Sequence, residues 1–159
     1  MSRMAEIPRE ALDPLGQSPI LFDALVEENL DEGVFIFRKT VTLADPGVAE
    51  QRVTSRWPHH LPGELVIGFT GQAGTIALHR KGLIREGWRG HGVRISDARF
   101  SAPVLIGETV FVRAELGRAR KLGDSLHVRF KFRMWKQGAD GAEVETYRSE
   151  QDAIFFPGE

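Results

Sequence analysis

The sequence predicts an α+β domain in which a curved antiparallel sheet wraps one long central helix. Three observations point there. A helix-length run, PGELVIGFTGQAGTIALHRK, carries almost no polar side chain. Later runs alternate apolar and polar residues with a period of two, as half-buried strands do. Clusters of Gly, Pro and Asp punctuate those runs where turns are needed.

Residues 1–19 hold Pro8, Pro14, Gly16 and Pro19 among charges and read as an irregular N-terminal arm, leaving 20–159 as a single domain. Ile20 to Leu30 places Leu21, Leu25 and Val26 at helical spacing, which predicts a short amphipathic helix. Val34 to Leu43 is rich in β-branched and aromatic residues and reads as a strand. Asp45-Pro46-Gly47 is a turn, and Val48 to Trp57 is expected to return as the partner strand. Four glycines in GLIREGWRGHG, residues 82–92, predict a loop in which Trp88, Arg89 and His91 line a dimer edge or a lid. Strands follow over Val93 to Phe100, Thr109 to Leu116, Leu126 to Trp135 and, less regularly, Val144 to Phe156. The third alternates without a fault, with Leu126, Val128, Phe130, Phe132 and Met134 on the inner side.

The helix sets the rest. Leu65, Val66, Ile67, Phe69, Ala73, Ile76, Ala77 and Leu78 fall on every side of a 3.6-residue wheel, so burial all round is expected. Gly68, Gly71 and Gly74 recur every three residues, and each costs roughly 1 kcal/mol against Ala in a helix interior. A flat stripe that admits a close sheet would explain them. Pro62-Gly63 suits the first turn, and His79, Arg80 and Lys81 suit the negative C-terminal end.

Composition narrows the function. With 159 residues, 42% apolar and 27% charged, the chain is sized for one ordinary core. A net charge of −1 argues against partners gripped by bulk electrostatics, nucleic acid and membrane among them. Zero cysteines exclude disulfides, thiolate metal sites and a Cys nucleophile. The five histidines show no chelating spacing, so no metal is expected. The N-terminus lacks the apolar core of a signal peptide, and a cytoplasmic protein is the expectation.

This order of elements resembles the hot-dog fold. The residues that carry the likeness are His60 and Pro62 before the helix, the helix opening PGELVIGFTGQAG, and the strand–turn–strand ARFSAPVLIGETVFVRAEL. It covers roughly Ile20 to Phe156. The helix opening resembles β-hydroxyacyl-carrier-protein dehydratases in Pro62-Gly63 and Gln72, with Gly68 where that family has its acid. It also resembles FcoT-like fatty acyl-CoA thioesterases in His59, Glu64, Leu65, Val66, Ile67 and Phe69, with Thr70 following. Both branches imply an acyl thioester of coenzyme A or a carrier protein, held at the interface of a homodimer or higher homo-oligomer. No cofactor is implied beyond the coenzyme A or phosphopantetheine of the substrate itself.

The residues are compatible with that chemistry. A thioester carbonyl at the helix N-terminus would face the N–H groups of Gly63, Glu64 and Leu65, where a developing oxyanion is favoured. His59, His60 and Glu64 are the candidates for activating water. Dehydration would need an acid that Gly68 cannot supply, and a carboxylate at Glu64 is held as the anion by the helix end. Hydrolysis is therefore preferred, dehydration second, and non-catalytic acyl-CoA or acyl-carrier binding third. Gly63, Leu65, Gly68, Thr70 and Gln72 are candidate substrate-binding residues. Glu64 could equally be a first-turn charge, the histidines a solvated turn, Thr70 packing, and Gln72 a structural amide. The basic set Arg118, Arg120, Lys121, Arg129, Lys131 and Arg133 is either a docking surface for CoA phosphates or an acidic carrier protein, or a solvated strand face.

Overall fold

A computed structural model of the chain describes residues 2–3, 6–12 and 19–158. One helix, α1 (Gly63–Arg80), packs on an eight-stranded antiparallel sheet. The strands are β1 (Ser2–Arg3), β2 (Ile7–Pro8), β3 (Ala24–Asn29), β4 (Val34–Thr40), β5 (Arg89–Phe100), β6 (Thr109–Leu122), β7 (Ser125–Gln137) and β8 (Glu143–Phe156). The sheet runs β1-β3-β4-β6-β7-β8-β5, with β2 also paired on β3. Of the arm expected over 1–19, residues 1, 4–5 and 13–18 lie outside the described residues.

The long strands follow the alternation. Leu126, Val128, Phe130, Phe132 and Met134 are all buried, and so are Val110, Val112 and Ala114 on β6, the last two opposite Met134 and Phe132. Against this layer α1 sets Val66, Phe69, Ala73, Ile76, Ala77 and Leu78. Phe69 meets Phe22, which stacks on Phe37 at 4.6 Å between ring centroids. The far end of the helix is tied to the sheet by Arg80, whose Nε and Nη2 donate to both carboxylate oxygens of Glu28 on β3.

Four expectations need correction. Ile20 to Leu30 is not a helix: Ala24–Asn29 pairs with β4, and a bulge at Leu25/Glu27 disturbs its alternation into something helix-like. Val48 to Trp57 is not a strand but a run of turns, with one short bridge between Thr54 and Trp57. β4 takes β6 as its second neighbour instead. The loop over 82–92 ends early, because Arg89, Gly90, His91 and Gly92 already pair with β8. Burial of α1 is not complete either. Glu64, Ile67, Gly68 and Gly71 are exposed along one stripe, since the sheet covers only the other sides.

The glycines divide accordingly. A three-residue step advances about 300° around a helix, so the series turns as it climbs. Gly74 alone abuts the sheet, where a Cβ would come within 3.1 Å of the Phe130 ring; nothing lies within 4 Å of one at Gly71.

Candidate active site

The N-terminus of α1 opens on two cavities. Pro62 is extended (φ −65°, ψ 145°) and offers no side-chain cap. Its carbonyl accepts from the N–H groups of both Leu65 and Val66 at 3.1 Å. The Leu65 donor is therefore spent, a correction to the expected trio, and Gly63 and Glu64 remain as the N–H groups without an acceptor among the described residues. An outer cavity of about 800 Å³ is bordered by Pro46, Gly47, Gln51, Arg52, His60 and the first residues of α1. An inner cavity of about 340 Å³ lies between the helix and the Phe100–Val104 segment, over Thr146 and Tyr147. His60 and Gly63 border both.

His60 is held by its backbone. Its N–H donates to Gln51 Oε1 at 2.9 Å, and Gln51 Nε2 donates back to its carbonyl at 2.8 Å. The ring Nδ1 lies 3.1 Å from the Pro58 carbonyl oxygen. A carbonyl only accepts, so Nδ1 carries a proton, and Nε2 is the nitrogen that holds the lone pair in the neutral ring. His59 is half-buried, with Nδ1 2.8 Å from the Val48 carbonyl oxygen, and borders neither cavity. Glu64 is exposed on the outer cavity. His60 and Glu64 are thus brought together at one opening, and His59 stands behind them.

Two ties hold the cavity walls. Inward along β4, after Phe35 and Phe37, comes Lys39, which is 3% exposed. Its Nζ meets Asp45 Oδ1 at 2.6 Å, and the other Asp45 oxygen accepts from the Thr42 N–H at 2.7 Å. This anchors the turn carrying Pro46 and Gly47, where Gly47 takes φ 78°, a conformation few side chains tolerate. On the other wall Glu108 accepts from the Leu105 N–H and from Lys136, whose ammonium also donates to the Pro103 carbonyl. Burial pulls the Glu108 carboxyl up, but the Lys136 ammonium and the Leu105 N–H outweigh it and hold the group below its ordinary value.

The other candidates have defined places. Thr70 is fully buried; its hydroxyl donates to the Ile67 carbonyl and accepts from Gln151 Nε2, each at 2.7 Å. Gln72 accepts from the Leu21 N–H at 2.6 Å and donates to the Pro19 carbonyl at 3.2 Å, so its amide secures the chain entering β3. Gly68 faces outward, near Leu21. None of the six basic residues borders either cavity. Arg129 is paired through two bonds with Asp152, and Arg133 is paired with Glu143 and Glu145 and lies 5.0 Å from the Trp135 ring centroid. Arg118 in the β6 bulge, Arg120 and Lys121 beyond it, and Lys131 on β7 are exposed. Among the described residues no cluster of His, Asp and Glu could hold a metal, and no helix is long and apolar enough to cross a membrane.

Gln51, Phe100, Thr146 and Tyr147 are site residues that pattern reading missed. Only Thr146 and Tyr147 left a trace in the sequence, as the break in alternation within the final strand.

No protein-family model and no curated protein sequence matches the chain. Solved structures do. A dehydratase heterocomplex, ApeI:P, from Xenorhabdus doucetiae superposes with a TM-score of 0.64 at 16% identity, covering 96% of this chain and 93% of that one. A hot-dog-like protein from Thermanaerovibrio acidaminovorans gives 0.56 at 17% identity, over 78% and 81% of the two chains. A thioesterase superfamily member from Thermus thermophilus gives 0.55 at 18%, with the same coverage. Identities this low carry the architecture alone. One helix cradled by this strand order, matched across most of each chain, is the hot-dog fold, and the chain adopts it.

Proposed function

We propose that the chain is an acyl-thioester-processing enzyme that hydrolyses acyl-coenzyme A or acyl-carrier-protein substrates. The observation that carries this reading is the meeting of His60, Glu64 and two unspent helix N–H groups around one open cavity. His60 Nε2, its partner nitrogen occupied by Pro58, takes a proton from water as the oxygen attacks the thioester carbonyl. The carbonyl electrons move onto oxygen, where the Gly63 and Glu64 N–H groups and the helix dipole stabilise the charge. Collapse breaks the carbon–sulfur bond, and the leaving thiolate takes from His60 the proton that came from water. Several similar structures are of thioesterases and acyl-CoA hydrolases, which supports this class.

A second copy of the chain completes the site in this reading. β5 ends the sheet with all its residues except Ser96 exposed, Val93, Ile95 and Phe100 among them, and the open stripe of α1 gives a second uncovered face. Dehydration is the second reading, favoured by the near-complete superposition on a dehydratase complex. Against it stands Gly68, which has no side chain to act as acid.

The test is thiol release from a panel of acyl-CoA and acyl-carrier substrates. Hydrolysis predicts turnover that His60→Ala lowers by about 10²–10⁴-fold, with a smaller loss in Glu64→Gln. Loss of water from a 3-hydroxyacyl substrate without thiol release replaces this reading with the lyase. Saturable acyl-carrier binding without turnover replaces it with a binding protein.

A further inference from the structure

The inner cavity has an unusual floor. In the β7–β8 ladder Met134 faces Tyr147 and Trp135 faces Glu145, so Thr146 is an extra residue in a bulge. A regular strand would bury one of two neighbours and expose the other. The bulge buries both, Thr146 to 3% and Tyr147 to 1% exposed. Neither hydroxyl has a hydrogen-bond partner among the described residues. Buried polar groups are paired in the great majority of cases, and an orphan is destabilising. Both residues border the inner cavity, and two adjacent orphans there are better explained by a ligand than by the fold.

The rest of the wall says what kind of ligand. Leu61, Val66, Phe100, Pro103 and Val104 are apolar, and Phe100 lies 4.9 Å from the Tyr147 ring, centroid to centroid. Gly63 places the opening beside the helix end, where a Cβ would meet the Phe100 ring at 3.5 Å. An apolar slot floored by a threonine and a tyrosine with unmet hydroxyls suits a short hydrocarbon chain carrying an oxygen.

We infer that the inner cavity receives the acyl group, and that Thr146 and Tyr147 select an acyl chain bearing a hydroxyl or oxo oxygen over its saturated counterpart. This rests on the reading that the thioester sits at the N-terminus of α1. A hydroxyl pair desolvated in advance gains its bonds only when the oxygen is present. A plain alkyl chain leaves both unmet, and a site built for such bonds discriminates strongly against the analogue that lacks them.

The experiment is calorimetric binding of amide-linked, hydrolysis-resistant acyl-CoA analogues to the intact protein. Saturated, 3-hydroxy and 3-oxo chains of equal length are compared in wild type, Tyr147→Phe and Thr146→Val. The expected result is a preference of about tenfold or more for an oxygenated chain in wild type. Each variant shrinks that ratio while affinity for the saturated analogue holds, and melting temperature is unchanged or raised because an orphan hydroxyl has gone. Equal affinities in wild type overturn the inference and leave the thioester reading standing. So does an unchanged ratio in both variants, with or without a lower melting temperature. If no analogue binds folded protein, both fall together.

Discussion

Gln151 on β8 donates its amide N–H to the hydroxyl of Thr70 on α1 at 2.7 Å, which joins the helix to the strand through buried polar atoms. The same amide reaches Ser149 Oγ at 3.1 Å, and Thr70 passes its own proton to the Ile67 carbonyl. The contact ties the middle of α1 to β8, the strand that also carries Thr146 and Tyr147.

Thr70→Val should therefore lower stability by about 1–3 kcal/mol, the usual cost of leaving a buried donor unmet. Adding Gln151→Leu to that variant should recover part of the loss, because it removes the stranded amide. Urea denaturation of the two single variants and the double variant measures the coupling. Additive effects would mean that the bond contributes nothing of its own.

Gly71→Ala and Gly74→Ala should move in opposite directions. At Gly71 there is room for a methyl, and the gain in helix propensity is about 1 kcal/mol. At Gly74 the methyl enters the Phe130 ring's space at 3.1–3.4 Å, and overpacking of this kind costs about 1–3 kcal/mol. Thermal melts of the pair at several protein concentrations provide the comparison. Should Gly71→Ala instead destabilise in a concentration-dependent way, the open stripe is a contact between subunits.

Lys39→Met should be among the most damaging single changes. It strands the Asp45 carboxylate, 8% exposed, at the turn that borders the outer cavity. Breaking a buried pair from one side costs about 3–5 kcal/mol. Lys39→Met with Asp45→Asn should be less harmful than the single change. Denaturant midpoints read this out, and equal midpoints for single and double variants would contradict it.

Acid sensitivity should report Glu108. Its carboxyl is held below the ordinary value in the folded chain, so the unfolded chain binds more protons across that interval. The stabilisation is complete above the ordinary carboxylate pKa of about 4.3 and fades as pH falls through the folded value. Glu108→Gln should lose stability near neutrality and show a shallower decline below about pH 4.5. Parallel profiles for variant and wild type would remove Glu108 as a source of the slope.

How much of this was legible in residues alone depends on which interactions were local. The perfect alternation from Leu126 to Met134 stated its own burial, and the apolar run after Pro62-Gly63 stated a helix, because periodicity is a property of consecutive residues. The bulge in β3 made a strand look helical over Ile20 to Leu30, since one inserted residue breaks the period of two. Val48 to Trp57 looked like a strand because its composition allows one, yet β4 pairs with a strand some seventy residues onward. At the site, His60 and Glu64 were legible as ionisable residues flanking a helix start. Their separation from His59 was not, because it depends on a ring reaching the Val48 carbonyl across a turn.

The chain order of residues was enough to establish a core helix, its strand-rich surroundings and the polar groups at its entrance. Folding in three dimensions decided which face of that helix stays open, that Leu65 has no donor left, and that Thr146 and Tyr147 share a cavity floor. Period and composition act between neighbours along the chain, whereas a cavity is made by residues that only the sheet's long-range pairing brings together.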